Sequence, residues 1–434
     1  MRKSTPVRYQ EVWLQDQHAG WLCEADGITR FVATEQYLTN TRRPTLSISI
    51  TPPGSDDLSR SILGNQFDPA IYRERGQLPP FFAGLLPEGS LRRRLASTRL
   101  HAEDMDDFGL LALAGEDLPG AVRVVPARLD HLTPTALALG ATGGADGLNV
   151  CVPEGAAKGA ASLAGMQDKL ALSQVHHKCG YCLPSEGQLT TIIAKLPAPN
   201  DDDQVMNEYA CMRLAALAGV DVAQCQPEPM KAIIDQPDLI EELGPATRFL
   251  KVERFDRSLD GAIHMEDACQ LLTLMPPQKY ANQDRFVTLL AIVNRLSSRG
   301  IEDVRALFIR RTVNTLLGNS DAHLKNVSVL YRDGRLPQLA PAYDIVCVAS
   351  FPSFRGYAVN VAIDKQQRLE THETYAAIAK AAGISQRIAK TAVKQTVTLA
   401  KESWPSALRK MDVSPRVSNE ILHRLATLPL STAL

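Results

Sequence analysis

Over the first 125 residues, apolar and polar positions alternate in short runs separated by turn residues. Val12-Trp13-Leu14, Trp21-Leu22, Ile28 to Val32 and Leu46-Ser47-Ile48-Ser49-Ile50 carry β-formers or period-two alternation, and Asp26-Gly27 is a hairpin-turn dipeptide. The pattern predicts a mainly stranded segment. Phe81 to Gly89 then leads into a basic helix over 90–97, and 104–113 predicts a further short helix. Between 136 and 165 Ala and Gly dominate, which predicts a linker or a mobile loop.

Strand signals resume at 169–175 and 190–195. A helix is predicted over 207–218, closed by Gly219, and a strand over 248–254. From about 266 onward helical periodicity takes over. Val304, Leu307, Phe308, Val313, Leu316 and Leu317 share one helical face, and Ser385 caps a predicted helix reaching Ser403, before Pro405. Val417, Ile421, Leu425 and Leu428 line a last helix. Strands first and helices later predict an α+β fold of two lobes, with an all-helical second lobe and a cleft between them.

Composition narrows the class. The chain has 434 residues, 45% hydrophobic and 22% charged, which is ordinary globular usage and argues against extensive disorder. A formal net charge of -1 excludes a globally basic nucleic-acid binder, though Arg92-Arg93-Arg94 is a local basic patch. The eight cysteines are scattered, unlike a secreted disulfide scaffold. Cys179-Gly180-Tyr181-Cys182, preceded by His176 and His177, is half a zinc site, and a hairpin between two strands is the better expectation. A polar N-terminus and the lack of an 18-residue apolar run predict a cytoplasmic protein.

The chemistry concentrates after residue 318. Asp321 and Asn326 stand five apart in Gly318-Asn319-Ser320-Asp321-Ala322-His323-Leu324-Lys325-Asn326, and Asp344 follows in Pro341-Ala342-Tyr343-Asp344-Ile345. Phosphoryl transfer needs a base for the acceptor hydroxyl and hard oxygen ligands for magnesium, and this trio supplies both in the order of a protein-kinase centre. Asp-x4-Asn is also an ordinary loop composition, so the third residue and its flanks carry the reading. Upstream, Thr191-Ile192-Ile193-Ala194-Lys195 ends an apolar strand on a lysine, as the Val-Ala-Ile-Lys strand of kinases does. Glu208 is the candidate partner for that lysine, or an acid complementing a helix N-terminus. A Gly-x-Gly-x-x-Gly loop is absent; Gly159 to Lys169 offers small-residue backbone able to wrap phosphate oxygens.

These segments together resemble the HipA family, kinase toxins of bacterial toxin–antitoxin pairs. Gly84-Leu85-Leu86-Pro87-Glu88-Gly89, Ser162 to Lys169, Ile193 to Pro197, Asn207-Glu208-Tyr209, Val252 to Arg257, Met265 to Gln270, Asn319 to Asn326 and Pro341 to Ile345 carry the resemblance along nearly the whole chain. It implies a two-lobed kinase-like fold, divided as a β-rich subdomain over 1–125, an N-lobe over 126–255 and a helical C-lobe over 256–434. It also implies ATP with magnesium and a serine or threonine acceptor on a protein, such as an aminoacyl-tRNA synthetase. By position, Asp321 would be the catalytic base, with Asn326 and Asp344 the magnesium ligands. Lys195 would contact the phosphates, lined further by Ala164, Gly165, Met166, Gln167, Asp168 and Lys169, with His323 and Lys325 beside them. Glu253, Arg254 and Phe255 would form the segment meeting adenine, Glu253 and Phe255 through backbone atoms, and Tyr343 belongs to the same nucleotide-binding set. Ser162 matches the autophosphorylated serine of the family, where nearly two added negative charges would repel the nucleotide.

The resemblance further implies a HipB-like helix-turn-helix antitoxin as partner, with operator DNA contacted mainly through it. Asn319-Ser320 replaces the kinase His-Arg, and Tyr343-Asp344-Ile345 replaces Asp-Phe-Gly, which removes the basis for activation-loop control of the usual kind. A small-molecule phosphotransferase would use the same trio, and a catalytically inactive co-repressor is the reading from another class.

Overall fold

The structure is a computed structural model that describes residues 7–96, 106–133, 137, 150–151, 168–175, 180–185, 188–280, 283–351 and 369–432. The first sheet contains β1 (Val7–Leu14), β2 (Gln17–Ala25), β3 (Ile28–Ala33), β4 (Tyr72–Arg73), β5 (Val122–Pro126) and β6 (Val150–Cys151). The order is β4-β3-β2-β1-β5, with β6 pairing parallel to β1. Asp26 and Gly27 both take left-handed φ, 52° and 77°, and close the β2–β3 hairpin as their chemistry predicts. Leu22, Phe31, Phe81, Phe82, Phe108 and Leu111 fill the core beneath this sheet.

The alternation at Leu46–Ile50 misleads: the segment is a run of turns, not a strand. Its serines are consumed locally, since Ser47 and Ser49 hydroxyls lie 2.7 Å apart and the Thr51 N–H donates to Ser47 O at 2.7 Å. Ser47 Oγ and Ile48 N then donate to Glu266, at 2.6 and 2.9 Å.

The second sheet comprises β7 (Lys169–Val175), β8 (Gly180–Cys182), β9 (Ile192–Lys195), β10 (Cys225–Pro229) and β11 (Arg248–Glu253), antiparallel in the order β10-β11-β9-β7-β8. The expected hairpin near Cys182 is present as β7–β8, with Cys182 opposite Ser173. His176, His177 and Cys179 lie outside the described residues, and among those described no cluster of three or more His, Cys, Asp or Glu could hold a metal. The helix Asp203–Leu217 packs on this sheet, burying Val205, Cys211, Met212 and Leu214.

After the short hairpin β12 (Arg257–Ser258) and β13 (Gly261–Ala262), helices Gln283–Leu296, Ile301–Leu317, His372–Ala381, Gln386–Leu408 and Pro415–Thr427 build the second lobe. All six positions of the Val304–Leu317 stripe are buried, as are Val417, Ile421, Leu425 and Leu428. Two expectations are corrected. The lobe is not helical throughout: β14 (His264–Asp267), β15 (Ser328–Tyr331) and β16 (Gln338–Leu339) form a three-stranded sheet within it. Ser328 to Tyr331 is buried on both faces, so it shows neither period to a sequence reading. The helix expected to end near Ser403 continues through Pro405 to Leu408, because the fully buried Trp404 anchors it by donating Nε1–H to Leu214 O at 2.9 Å. Tertiary packing there outweighs a proline cost of about 3 kcal/mol.

The β-rich subdomain touches both lobes. Its Asp117 binds Arg254 and Arg257 at the end of β11, and its Ser47 and Ile48 grip Glu266 of β14. Among the described residues no helix is long and apolar enough to cross a membrane.

Candidate functional site

A cleft opens between the five-stranded sheet and the helical lobe. It is lined by Lys169, Lys195, Glu208, Glu253, Phe255, His323, Lys325, Asn326, Tyr343 and Asp344, residues that span the chain from 169 to 344. The strand register sets its charged wall. Lys195 is opposite Lys169 across β9 and β7, so both ammonium groups enter from one sheet. Lys195 Nζ lies 2.5 Å from Glu208 Oε1 and 2.6 Å from Asp344 Oδ1.

Burial opposes the charge on Lys195, but Asp344 and Glu208 raise its pKa above the usual lysine range. Burial likewise opposes ionisation of Asp344, and Lys195 with Lys169 overcomes it, holding the carboxyl well below the usual carboxylate range. Lys169 is the weak member. Burial, then Lys195, lower its pKa to about 8. Asn207 fixes the geometry behind them: its Oδ1 accepts the Cys347 N–H at 3.0 Å and its Nδ2 donates to Cys347 O at 3.2 Å, tying the Glu208 helix to the Asp344 segment. Asp344 itself has φ 62°, a left-handed conformation that aspartate tolerates better than most residues.

The loop carrying Asp321 starts at Gly318, the left-handed cap of the Ile301–Leu317 helix with φ 73°. A Cβ there would stand 2.7 Å from Ala349 Cβ, so the turn needs glycine. Asn319 then donates to Asp344 O at 3.3 Å and to Asn314 Oδ1 at 3.0 Å, joining the two halves of the site. Asn326 Nδ2 donates to Asp321 O at 3.3 Å, leaving Oδ1 as its acceptor end. Tyr280 OH donates to Asp321 Oδ1 at 2.9 Å. Lys325 is buried and pairs with Glu88 Oε1 at 2.8 Å, and Tyr343 OH donates to Lys325 O at 2.7 Å.

Arg254 behaves differently from its neighbours in the candidate set. Its guanidinium turns into a buried network with Asp117 at 3.0 Å, Asp256 at 2.8 Å and Thr190 Oγ1 at 2.8 Å, so only its backbone belongs to the cleft edge. Glu253 is well exposed at its side chain, as a residue offering backbone would be. Ala164, Gly165, Met166, Gln167 and Ser162 lie outside the described residues, whereas Lys169 opens β7 and Asp168 immediately precedes it. A second pocket adjoins the cleft, sharing His323, Asn326, Tyr343 and Asp344 but not the paired strand lysines.

For a divalent cation, Asp344 and Asn326 supply a carboxylate and an amide oxygen on one side of the cleft. That donor set fits magnesium, which uses few protein ligands alongside phosphate oxygens and water. Asp117 and Tyr280 have no signal in the sequence, and Glu88 stands in a family motif without a site role assigned to it. Each reaches its partner across a separation that leaves no local pattern, 137 residues for Asp117 to Arg254 and 41 for Tyr280 to Asp321.

Residues 161–404 match the HipA-like C-terminal domain and residues 10–125 the HipA N-terminal domain. The chain belongs to the HipA family. Among its relatives, "Putative kinase Y4dM" of Sinorhizobium fredii is 33% identical over 404 residues, 91% of each chain. "Putative kinase Y4mE" of the same organism is 30% identical over 378 residues, 80% of this chain and 79% of the relative. The HipA of Shewanella oneidensis, solved with HipB and operator DNA, superposes with a TM-score of 0.65 at 19% identity, covering 97% and 96% of the two chains. At that identity the likeness establishes the HipA fold: a two-lobed mixed α/β molecule with a helical C-terminal region.

Proposed function

We propose that this HipA-family protein is an ATP- and magnesium-dependent serine/threonine-protein kinase. The observation that carries the reading is Lys195 held between Glu208 and Asp344 in the same cleft as Asn326, whose side chain donates to the Asp321 carbonyl on the same loop. In this reading Glu253 and Phe255 bind adenine through backbone atoms, and Lys195, Lys169, His323 and Lys325 surround the phosphates. Asn326 and Asp344 hold magnesium, which supplies charge neutralisation on the phosphate oxygens. Asp321 accepts the proton of the acceptor hydroxyl as its oxygen bonds to the γ-phosphorus, and the bond from that phosphorus to the bridging oxygen breaks, releasing ADP. The names of the Sinorhizobium relatives support the reaction class, and the Shewanella complex supports a HipB-like antitoxin that carries the operator contact. A translation-related protein is the proposed substrate. Ser162 is the proposed autophosphorylation site, where a phosphate would oppose nucleotide binding near Lys169 and lower ATP affinity.

Incubation with γ-labelled ATP and magnesium tests the reading. Label is expected on the protein, at Ser162, or on an added protein substrate, and is lost in Asp321→Asn while ATP binding persists. Label confined to metabolites would identify a small-molecule phosphotransferase. No transfer at all would leave an inactive co-repressor.

A further inference from the structure

The Gly84–Gly89 stretch belongs to the N-terminal subdomain, yet it ends inside the catalytic centre. Glu88 Oε1 lies 2.8 Å from Lys325 Nζ, and its Oε2 lies 3.5 Å from Lys279 Nζ. Lys325 Nζ also reaches Gly84 O at 3.4 Å. Only 3% of Lys325 is exposed, so its ammonium depends on nearby carboxylates, Asp267 first and then Glu88, of which Glu88 makes the direct ion pair. The docking beneath is tight. A Cβ on Gly84 would stand 2.7 Å from the Gln270 side chain, whose Nε2 donates to Phe81 O at 2.8 Å.

Lys279 carries the connection onward. Its carbonyl accepts the Leu324 N–H at 2.9 Å, which lays the 278–280 segment across the catalytic loop as a strap. Its ammonium sits 5.7 Å from the Tyr280 ring centroid, and that ring packs edge-on against His323 at 5.6 Å. Arg285 secures the far end by donating to Gln278 O at 2.6 Å and Tyr280 O at 3.2 Å. The strap delivers the Tyr280 hydroxyl to Asp321 Oδ1.

We propose that Glu88 and Tyr280 are coupled positioning residues for phosphoryl transfer, Glu88 fixing Lys325 and the Lys279–Tyr280 strap from the N-terminal subdomain, and Tyr280 holding one oxygen of Asp321 so that the other faces the acceptor hydroxyl. This rests on the kinase reading above. A carboxylate base has two equivalent oxygens and free rotation about its last bond. Engaging Oδ1 with a fixed phenol removes that freedom before the acceptor arrives, which is how orientation contributes to rate. The N-terminal subdomain thereby becomes part of the reaction centre.

Steady-state kinetics on the full chain test this with Glu88→Gln, Glu88→Asp, Tyr280→Phe and the Glu88→Gln/Tyr280→Phe double variant. Each of Glu88→Gln and Tyr280→Phe is expected to lower kcat by roughly 10- to 100-fold, with the KM for ATP unchanged or lower. Glu88→Asp, which keeps the charge, recovers most of the rate. Because the two act as one unit, the double variant loses no more than the more severe single variant. A rise in kcat for Tyr280→Phe would make the tyrosine a blocker of the acceptor site and overturn the proposal. Unchanged kcat, or multiplicative losses in the double variant, would overturn it equally. If Glu88→Gln fails to fold, Glu88→Asp and Tyr280→Phe still decide, since neither removes a charge. Absence of transfer by the wild-type chain would instead refute the kinase reading itself.

Discussion

Two buried clusters in this molecule each hold two positive and two negative side chains, and they are built for opposite ends. At the end of β11, Arg254 and Arg257 meet Asp117 and Asp256. Backbone closes the set: Gly120 N donates to Asp256 at 2.8 Å, and Leu118 O accepts from both arginines, at 3.1 and 2.9 Å. No side chain in it is more than 5% exposed. In the cleft, Lys169 and Lys195 meet Glu208 and Asp344, and there the Asp344 side chain is 30% exposed. One lysine is drawn down to about 8, first by burial and then by the other lysine. The first quartet is enclosed by the protein on all sides and reads as structure. The second lies in the cleft and opens to solvent at Asp344. Charge count does not separate the two clusters; the solvent exposure of their members does.

The contrast can be broken experimentally. The largest expected effect is Lys195→Met, which should reduce phosphoryl transfer by at least about 1000-fold, or roughly 4 kcal/mol of barrier, while the denaturation midpoint moves much less. Arg254→Met should do the reverse. Leaving Asp117 and Asp256 under-compensated is expected to cost about 3–5 kcal/mol of stability, read by chemical denaturation, with the specific activity of the folded fraction retained. If Arg254→Met instead abolished activity without loss of stability, the distinction drawn here would fail.

A smaller effect concerns protons. The folded-state pKa of Lys169 lies below the ordinary lysine value, so its charged form is disfavoured in the fold. Between about 8 and 10.5 the unfolded chain binds more protons at this position, so the Lys169 contribution makes stability rise with pH through that window and costs stability below it. Phosphates arriving beside it favour the ammonium. Calorimetry near pH 8.5 in buffers of different ionisation enthalpy should therefore detect proton uptake on ATP binding, and Lys169→Arg should abolish it. The smallest effect belongs to a third kind of pair, Arg248 with Asp412, whose aspartate side chain is 77% exposed. Asp412→Asn should shift stability by no more than about 1 kcal/mol and leave transfer untouched, which calibrates the two buried cases against a solvated one.

The two quartets also differ in how far sequence could see them. Lys195 ends an apolar strand and Asp344 sits in a short motif, so both were legible locally, and β7 begins and ends where its pattern predicts. Asp117 had no such context, and Arg254 read as part of the nucleotide segment because it stands between Glu253 and Phe255. Its side chain turns the other way because Asp117 and Asp256 wait on that face. The same limit explains Leu46–Ile50, where period two matched a strand while Glu266, more than two hundred residues away, claimed the Ser47 hydroxyl and the Ile48 N–H. Local pattern specifies elements; partners distant in sequence specify which way a polar side chain faces.

The grip of the N-terminal subdomain on both lobes bears on how such proteins can be recombined. A joint near residue 125 looks natural, since one recognisable domain ends there and another begins at 161. Yet Asp117 finds its arginines, Ser47 its glutamate and Glu88 its lysine beyond that joint. A chimera built at that point from two relatives inherits half of each contact from a different parent. The inheritable unit is the set of matched pairs, and interchangeability between relatives is decided by those pairs and not by the length or placement of the linker.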